Sequence, residues 1–218
     1  MTSKASSLRL SLLAGALAAS ALFSGCALLV GGAIVGSSIV ATDRRTSGAQ
    51  LEDQSIELKA SKRIGETIAD RGHLNVTSYN RLVLVTGEVP SEADKASVEL
   101  AISRIENVRS VVNELVVFAP SSIGTRSNDT LLTSKVKASM VDAKDVQASA
   151  YKVVTERGVV YLMGRVTERE ATRGAEIARG VSGVVKVVKV FELVTEGELA
   201  GTSVAPAAAA PAAPAPKP

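Results

Sequence analysis

The chain has 218 residues, a formal net charge of +3 and a single cysteine, and only 3% of its residues are aromatic. One cysteine excludes an intrachain disulfide, and the sequence has no metal-ligand spacing of cysteines and histidines. The near balance of charge and the absence of tryptophan argue against nucleic acid as a partner, because nucleic-acid binding needs a basic surface and stacking side chains.

The first 25 residues have the organisation of a signal peptide. Lys4 and Arg9 form a short basic region, and an apolar stretch follows from Leu10 to Phe23. The stretch ends in Leu-Phe-Ser-Gly-Cys, the pattern of a lipobox, with Cys26 as its last residue. This pattern predicts cleavage before Cys26 and lipid attachment at its thiol, where diacylglyceryl and N-acyl chains are the only non-protein groups we expect.

A retained transmembrane helix is the alternative, since no charged residue occurs between Leu10 and Ala41. Glycines interrupt this run and Cys26 stands where an apolar signal region ends, so the sequence favours lipid attachment. Each buried methylene contributes ~0.8 kcal/mol, and several chains on one cysteine anchor a protein stably. The residue after the cysteine is Ala27 rather than the aspartate that retains Gram-negative lipoproteins at the inner membrane. We therefore expect a lipid-anchored protein of the outer membrane that faces the periplasm.

The segments on either side of the central region differ from it in composition. Residues 26–54 predict an acylated N terminus followed by a polar tether, and residues 195–218 predict a disordered tail rich in alanine and proline. Without Lys4 and Arg9, the mature chain retains 23 basic and 22 acidic side chains.

The central region contains an internal repeat. Residues 82–89 match residues 159–166, with Gly87 and Gly164 in register, and residues 105–113 match residues 181–189. Two similar units of about 65 residues therefore account for the chain better than one large domain.

Each unit has the pattern helix, strand, strand, helix, strand. In the first unit, an apolar stripe at helical spacing includes Ile56, Ile64 and Ile68, and alternation predicts strands at 73–79 and 82–89 joined by a turn at Asn80 and Arg81. Two helices on one face of a three-stranded sheet is the α+β solution for such a unit. The predicted boundaries are 55–117 for module 1, 118–127 for a linker and 128–194 for module 2.

These residues resemble the BON-domain family, whose modules have the order αββαβ and a glycine in mid-unit. The lipobox, Ala-Thr-Asp-Arg-Arg at 41–45, Ser-Asn-Asp-Thr at 127–130 and Leu-Met-Gly-Arg-Val-Thr-Glu-Arg-Glu at 162–170 make the chain similar to outer-membrane lipoproteins with two BON domains. The resemblance implies phospholipid binding in the periplasm and a role in envelope integrity. It implies no catalysis.

Charge and helical geometry point to module 2 as the module that contacts anionic phospholipid. Residues 55–117 carry 8 basic and 9 acidic groups, whereas residues 128–194 carry 11 and 8, and anionic lipid attracts each lysine or arginine near the membrane by ~1 kcal/mol. We expect Asn128 or Asp129 to cap the first helix of module 2. With Leu132, Val136 and Met140 toward the sheet, the predicted phospholipid-binding residues are Leu131, Ser134, Lys135, Lys137, Ala138 and Val141.

Three alternatives compete with this assignment. The same helix can pack against module 1, it can be a solvated helix with a single exposed leucine, or the chain can be a protein–protein scaffold that docks an outer-membrane assembly or cell-wall protein. An enzyme is not indicated: His73 is the sole histidine and has no cysteine or clustered carboxylate nearby in the sequence, and no phosphate-binding loop or nucleophile motif is present. We expect no catalytic, cofactor-binding or metal-binding residues.

Overall fold

The computed structural model describes residues 43–202, so Cys26 and the predicted tail beyond residue 202 lie outside the described residues. Module 1 contains α1 (Ser47–Ile68), β1 (His73–Tyr79), β2 (Leu82–Val89), α2 (Glu92–Ser103) and β3 (Ser110–Val117). Module 2 contains α3 (Ile123–Asp142), β4 (Tyr151–Glu156), β5 (Val159–Val166), α4 (Glu168–Arg179) and β6 (Lys186–Leu193), and a short helix α5 (Glu196–Thr202) follows.

The two modules have the same topology. In each, the first two strands form an antiparallel hairpin and the third strand pairs in parallel with the second, so the second strand lies at the centre of the sheet. A parallel pair needs a crossover connection, and α2 and α4 provide it. The predicted α+β architecture of two tandem αββαβ modules is confirmed.

One face of each sheet is covered by its own two helices. In module 1 the stripe on α1 that includes Ile56 and Ile68 packs with Val83 and Val85 of β2, and Val98 and Ile102 of α2 complete the core. In module 2 the equivalent core contains Val136 and Met140 of α3 and the small residues of α4. Alanine and Gly174 on α4 allow it to approach closely, and the Tyr151 ring fills the space beside Gly174.

The other faces of the two sheets pack against each other. Their shared core contains Tyr79 and Leu84 from module 1 and Tyr161, Met163 and Val190 from module 2, all buried. The strands of a sheet that is apolar on both faces must be covered on both sides, and each module covers the other. The two modules therefore form a sheet-on-sheet sandwich with the helices outside.

Both hairpins turn through residues in the left-handed conformation. Asn80 and Arg81 have φ of 50° and 68°, and Arg157 and Gly158 have φ of 51° and 75°. Two consecutive positive φ values are characteristic of a type I′ turn, whose twist matches that of the flanking strands. The predicted turn at residues 80 and 81 is confirmed.

Three helical segments differ from the predicted boundaries. Helix α1 begins at Ser47 within the predicted tether, α3 begins at Ile123 within the predicted linker, and α5 lies within the predicted tail. Thr46 and Ser122 cap the first two helices by accepting hydrogen bonds from Ala49 N and Thr125 N. Asn128 and Asp129 therefore lie inside α3, and the prediction that one of them caps this helix is wrong.

The first turns of α1 and α3 were not predicted, because a polar residue occupies the core-facing position in each of these turns. Asp53 precedes Ile56 and Ala60 on the buried face of α1, and Asp129 precedes Leu132 and Val136 on that of α3. An aspartate in a stripe of apolar residues ends the apolar period. Both carboxylates nevertheless have partners, because they accept hydrogen bonds from the hairpin turn of their own module.

Candidate functional site

Helix α3 is held on module 2 by its buried face and by two polar contacts. Leu132, Val136 and Met140 are buried, as predicted. Asp129 accepts 2.8 Å hydrogen bonds from both turn residues, Arg157 N and Gly158 N. Thr133 Oγ1 donates to Thr155 Oγ1 of β4 over 2.7 Å. The rotation of α3 about its own axis is therefore fixed, and so is the set of residues that it presents to solvent.

The six predicted phospholipid-binding residues of α3 are all exposed in the structure. The largest are Leu131, which is 61% exposed, and Val141, which is 71% exposed; Ser134, Lys135, Lys137 and Ala138 are exposed with them. The inter-module core is built from sheet residues, and this face of α3 is open. The alternative in which these residues pack against module 1 is therefore not supported.

The structure adds Ile123 to the same face. Its side chain is 81% exposed, and it precedes Val141 by 18 residues, which is five full turns at 3.6 residues per turn. Leu131 lies about 80° around the helix from these two residues at 3.6 residues per turn, so Ile123, Leu131 and Val141 form an apolar stripe about 80° wide and about 27 Å long, at a rise of ~1.5 Å per residue. Ile123 lies in the predicted linker and was therefore not among the predicted residues, although the Ser-Ser pair before it is a signal for a helix start.

Basic side chains flank the stripe on both sides. At 100° per residue, Lys135 lies on one flank, and Arg126 and Lys137 lie on the other. Lys135 and Lys137 are exposed, and Arg126 is half-buried. An apolar stripe between cationic flanks is the arrangement of a helix that lies in a membrane interface.

The equivalent helix of module 1 also presents exposed leucines. Leu51 and Leu58 of α1 are largely exposed and lie two turns apart on the outward face. Here Lys59 pairs with Glu106 and Arg63 pairs with Glu66, so part of the positive charge of α1 is neutralised locally.

The residues just before α1 connect the two modules. Arg44 forms a bidentate ion pair with Glu170 of α4, with both N–O distances at 2.7 Å, and it also donates to Arg165 O. Arg45 pairs with Asp43 and Asp53 and lies over the Tyr79 ring at 4.3 Å. The Ala-Thr-Asp-Arg-Arg motif therefore ends in a strap, residues 43–45, that ties the start of the folded region to both modules.

The ion pair of Arg44 sets the acid sensitivity of this strap. The hydrogen bond from Arg44 lowers the pKa of Glu170 to about 2, against burial, with help from Thr167 N. A carboxyl group with a depressed pKa stabilises the fold at pH values above its unfolded pKa, and this stability is lost as the pH falls toward about 2.

We expect Glu170→Gln to lower the free energy of unfolding at pH 7 by about 2–3 kcal/mol, since each pKa unit corresponds to ~1.4 kcal/mol. The difference from the unsubstituted chain shrinks to near zero below pH 2, where Glu170 is neutral in both states. Urea titrations at pH 7, 4 and 2 measure it. Glu168→Gln, at an exposed position of the same helical turn, is the control. An equal loss at pH 7 and pH 2 contradicts the electrostatic origin.

His73 lies at the start of β1, and burial together with the charge of Arg126 lowers its pKa.

In residues 43–202, no group of three or more His, Cys, Asp or Glu side chains is arranged to hold a metal ion. No helix within this described range is long and apolar enough to cross a membrane.

The family model for the BON domain matches residues 52–118 and 128–195, which are the two modules of the structure. The chain belongs to the BON-domain family. Outer membrane lipoprotein DolP of Haemophilus influenzae is 39% identical over 179 residues, which cover 81% of this BON protein and 92% of the relative. The 21 kDa hemolysin of Actinobacillus pleuropneumoniae is 30% identical over 154 residues, which cover 70% of this BON protein and 79% of the hemolysin.

Two further likenesses are partial. Osmotically-inducible protein Y of Escherichia coli is 31% identical over 52% of this BON protein and 58% of the relative. The solved structure of CdsD, a structural protein of the type III secretion system of Chlamydia trachomatis, is 10% identical in sequence. The match covers 69% of this chain and 98% of the CdsD chain, and its TM-score of 0.28 supports no argument.

The relatives confirm where this BON protein is found. It is an outer-membrane lipoprotein of the DolP family, as the sequence predicted. The relatives reported above are not named for an enzymatic activity. The assignment of Cys26 as the lipidated residue stays a prediction.

Proposed function

We propose that this lipoprotein recognises anionic phospholipid through the outward face of α3 and in this way supports envelope integrity. The observation that carries the proposal is the exposed stripe of Ile123, Leu131 and Val141 between the basic flanks of Lys135 and Lys137. Large aliphatic side chains aligned on one exposed face of a helix favour an interaction site. The lysines beside them favour an anionic partner.

The stripe and its flanks supply two kinds of free energy. Full burial of a large aliphatic side chain contributes about 1.5–3 kcal/mol, and each lysine near an anionic surface adds ~1 kcal/mol. These contributions suit a reversible contact. The acyl chains that we assign to Cys26 act as the permanent anchor, and they raise the effective concentration of α3 at the membrane.

The test is sedimentation of non-acylated residues 42–218 with vesicles of graded phosphatidylglycerol content at two salt concentrations. We expect binding that rises with phosphatidylglycerol and falls with salt, and at least a tenfold loss of binding for Leu131→Glu. Such a charge at the centre of the stripe opposes both apolar insertion and attraction to anionic lipid.

Leu58→Glu is the matched control, because Leu58 is a leucine of comparable exposure on the equivalent helix of module 1. We expect this variant to bind vesicles as the unsubstituted chain does. If both variants bind equally well and melt normally, α3 is not the lipid-contacting surface.

The exposed leucines of α1 favour a second candidate function, the docking of an outer-membrane assembly or cell-wall protein. Leu51 and Leu58 offer a second apolar face that is separate from the stripe on α3. Chemical crosslinking in intact cells distinguishes the two functions. Loss of a crosslinked protein in Leu58→Glu with unchanged lipid binding supports the scaffold, and unchanged crosslinks in that variant argue against it.

A further inference from the structure

A polar cavity of about 420 Å³ lies where the two modules meet. Its walls are β1 of module 1 and β4 and α3 of module 2, and hydroxyl, amide, imidazole and charged groups line most of it. The lining residues that bear on its chemistry are His73, Asn75, Arg126, Thr130, Thr133 and Glu156. Small-molecule sites are commonly found at such junctions between domains.

The cavity contains a cation and an anion that are not paired with each other. Arg126 donates from Nε to Ser121 Oγ over 3.3 Å, and within residues 43–202 its two terminal nitrogens make no ion pair or hydrogen bond. Glu156 is 6% exposed; its Oε2 accepts a 2.8 Å hydrogen bond from Asn75, and its Oε1 has no hydrogen-bond partner in the described residues. A buried charge without a directly contacting ion-pair partner is costly.

The other carboxylates near the cavity already have partners. Asp129 accepts from the turn of the β4–β5 hairpin, and Glu88 accepts from Ser121 N and pairs with Arg157. Burial raises the pKa of Glu156, and the charges of Glu88 and Asp129 raise it further, whereas the hydrogen bond from Asn75 and the charge of Arg126 lower it; the net pKa is raised. A cationic ligand group at Glu156 relieves this repulsion.

The position of the cavity on α3 relates it to the proposed membrane contact. Arg126, Thr130, Thr133 and Lys137 follow one another at intervals of four, three and four residues, so they form one flank between the buried face and the apolar stripe. A helix in the interface buries its apolar face to the boundary between head groups and acyl chains. Its flanks then lie at the level of the lipid head groups.

We propose that this cavity binds the phosphoethanolamine group, with its phosphate on Arg126 and its ammonium on Glu156. A guanidinium is well suited to phosphate oxygens, and an ammonium supplies the N–H donors that Glu156 Oε1 lacks. Neutral His73 and the threonine hydroxyls can complete the hydrogen bonds. Phosphocholine lacks N–H donors, and phosphoglycerol lacks the positive charge, so both bind more weakly.

The group can come from phosphatidylethanolamine in the membrane or from soluble glycerophosphoethanolamine. Because His73 is the only histidine of the chain and lines the cavity, its imidazole proton resonances report occupancy without further labelling. The acylated full chain, purified without a histidine tag in maltoside micelles, is titrated with glycerophosphoethanolamine, glycerophosphocholine, glycerophosphoglycerol and inorganic phosphate.

We expect a saturable shift of the His73 resonances with glycerophosphoethanolamine, at a concentration at least tenfold lower than with the other three compounds. Glu156→Gln removes this preference for ethanolamine, and Arg126→Gln weakens binding of all the phosphate compounds. No saturable shift overturns the proposal. Equal affinity for inorganic phosphate overturns it too, since the cavity is then a plain anion site. Both of these outcomes are measured on the unsubstituted chain and do not depend on the folding of a variant.

The same resonances in nanodiscs identify the source of the group. A shift in discs that contain phosphatidylethanolamine, relative to phosphatidylcholine alone, assigns the site to the lipid. No difference between the discs, with binding of the soluble compound retained, assigns it to the soluble compound. The titration in micelles is independent of the vesicle binding of α3, so failure of the proposed function and failure of this inference give separate results.

Discussion

Gly87→Ala is expected to prevent module 1 from folding. Gly87 has φ of +119°, and a Cβ atom at this position would lie 2.0 Å from His73 O and 2.9 Å from His73 C. Both of those atoms belong to the backbone of the paired strand β1, so neither can move without breaking the ladder between β1 and β2. We expect a loss of more than about 4 kcal/mol, which approaches the whole stability of a small domain.

The unfolding of module 1 also affects module 2, because the two sheets cover each other. Tyr161 and Met163 are buried in the inter-module core, and they become exposed when the sheet of module 1 is lost. Circular dichroism melting curves and proton NMR spectra measure both effects.

Gly65→Ala is the control for this glycine. A Cβ atom on Gly65 meets nothing within 4 Å, and the residue lies within α1. Alanine is favoured over glycine in a helix by roughly 0.8–1 kcal/mol, so we expect a slightly higher melting temperature. A normal melting curve for Gly87→Ala contradicts the strand register in the structure.

Asp53→Ala and Asp129→Ala are expected to destabilise the chain to different extents. Asp53 accepts hydrogen bonds from four donors: Ser78 Oγ, Asn80 N, Arg81 N and Arg45 Nη1. Asp129 accepts from two, both on the backbone of the β4–β5 turn. A donor left unsatisfied in a buried position costs roughly 1–3 kcal/mol.

We therefore expect a loss of about 4–5 kcal/mol for Asp53→Ala and about 2–3 kcal/mol for Asp129→Ala. Burial raises the pKa of Asp53, but its hydrogen bonds outweigh burial and the net pKa is lowered, so its contribution falls in acid. Urea unfolding at pH 7 measures both variants. Asp142→Ala, which replaces an exposed aspartate at the end of α3, serves as the reference. Equal losses of unfolding free energy for Asp53→Ala and Asp129→Ala contradict the explanation by the number of hydrogen-bond donors.

The sequence predicted best those elements whose residues alternate or repeat locally. Strands β1 and β2 begin and end at the predicted residues, and β5 covers residues 159–166, the segment that matches β2 in the internal repeat. Asn107 and Gly183, which lie between the second helix and the third strand of each module, have φ of 67° and 101°, a conformation that asparagine and glycine adopt readily. Each of these features depends on the conformational preference of a few adjacent residues.

Features that depend on distant residues could not be predicted. The partner of Arg44 is 126 residues away, and no local pattern indicates it. Strand β5 is apolar on both faces, and such a strand does not reveal what covers its second face. The outward residues of α3 followed from helical period alone, whereas Ile123 and the polar cavity depend on a helix start and on an inter-module junction.

The strap of residues 43–45 has a mechanical consequence. A pull on the chain ahead of residue 43 is shared between the two modules, because Arg45 ties Asp43 to Asp53 of module 1 and Arg44 is tied to Glu170 in α4 of module 2. Part of the tension from the membrane therefore reaches module 2 directly, without passing through module 1, which precedes it in the sequence. The contact through which module 2 resists such a pull is thus at residue 44, far ahead of the first residue of module 2 itself.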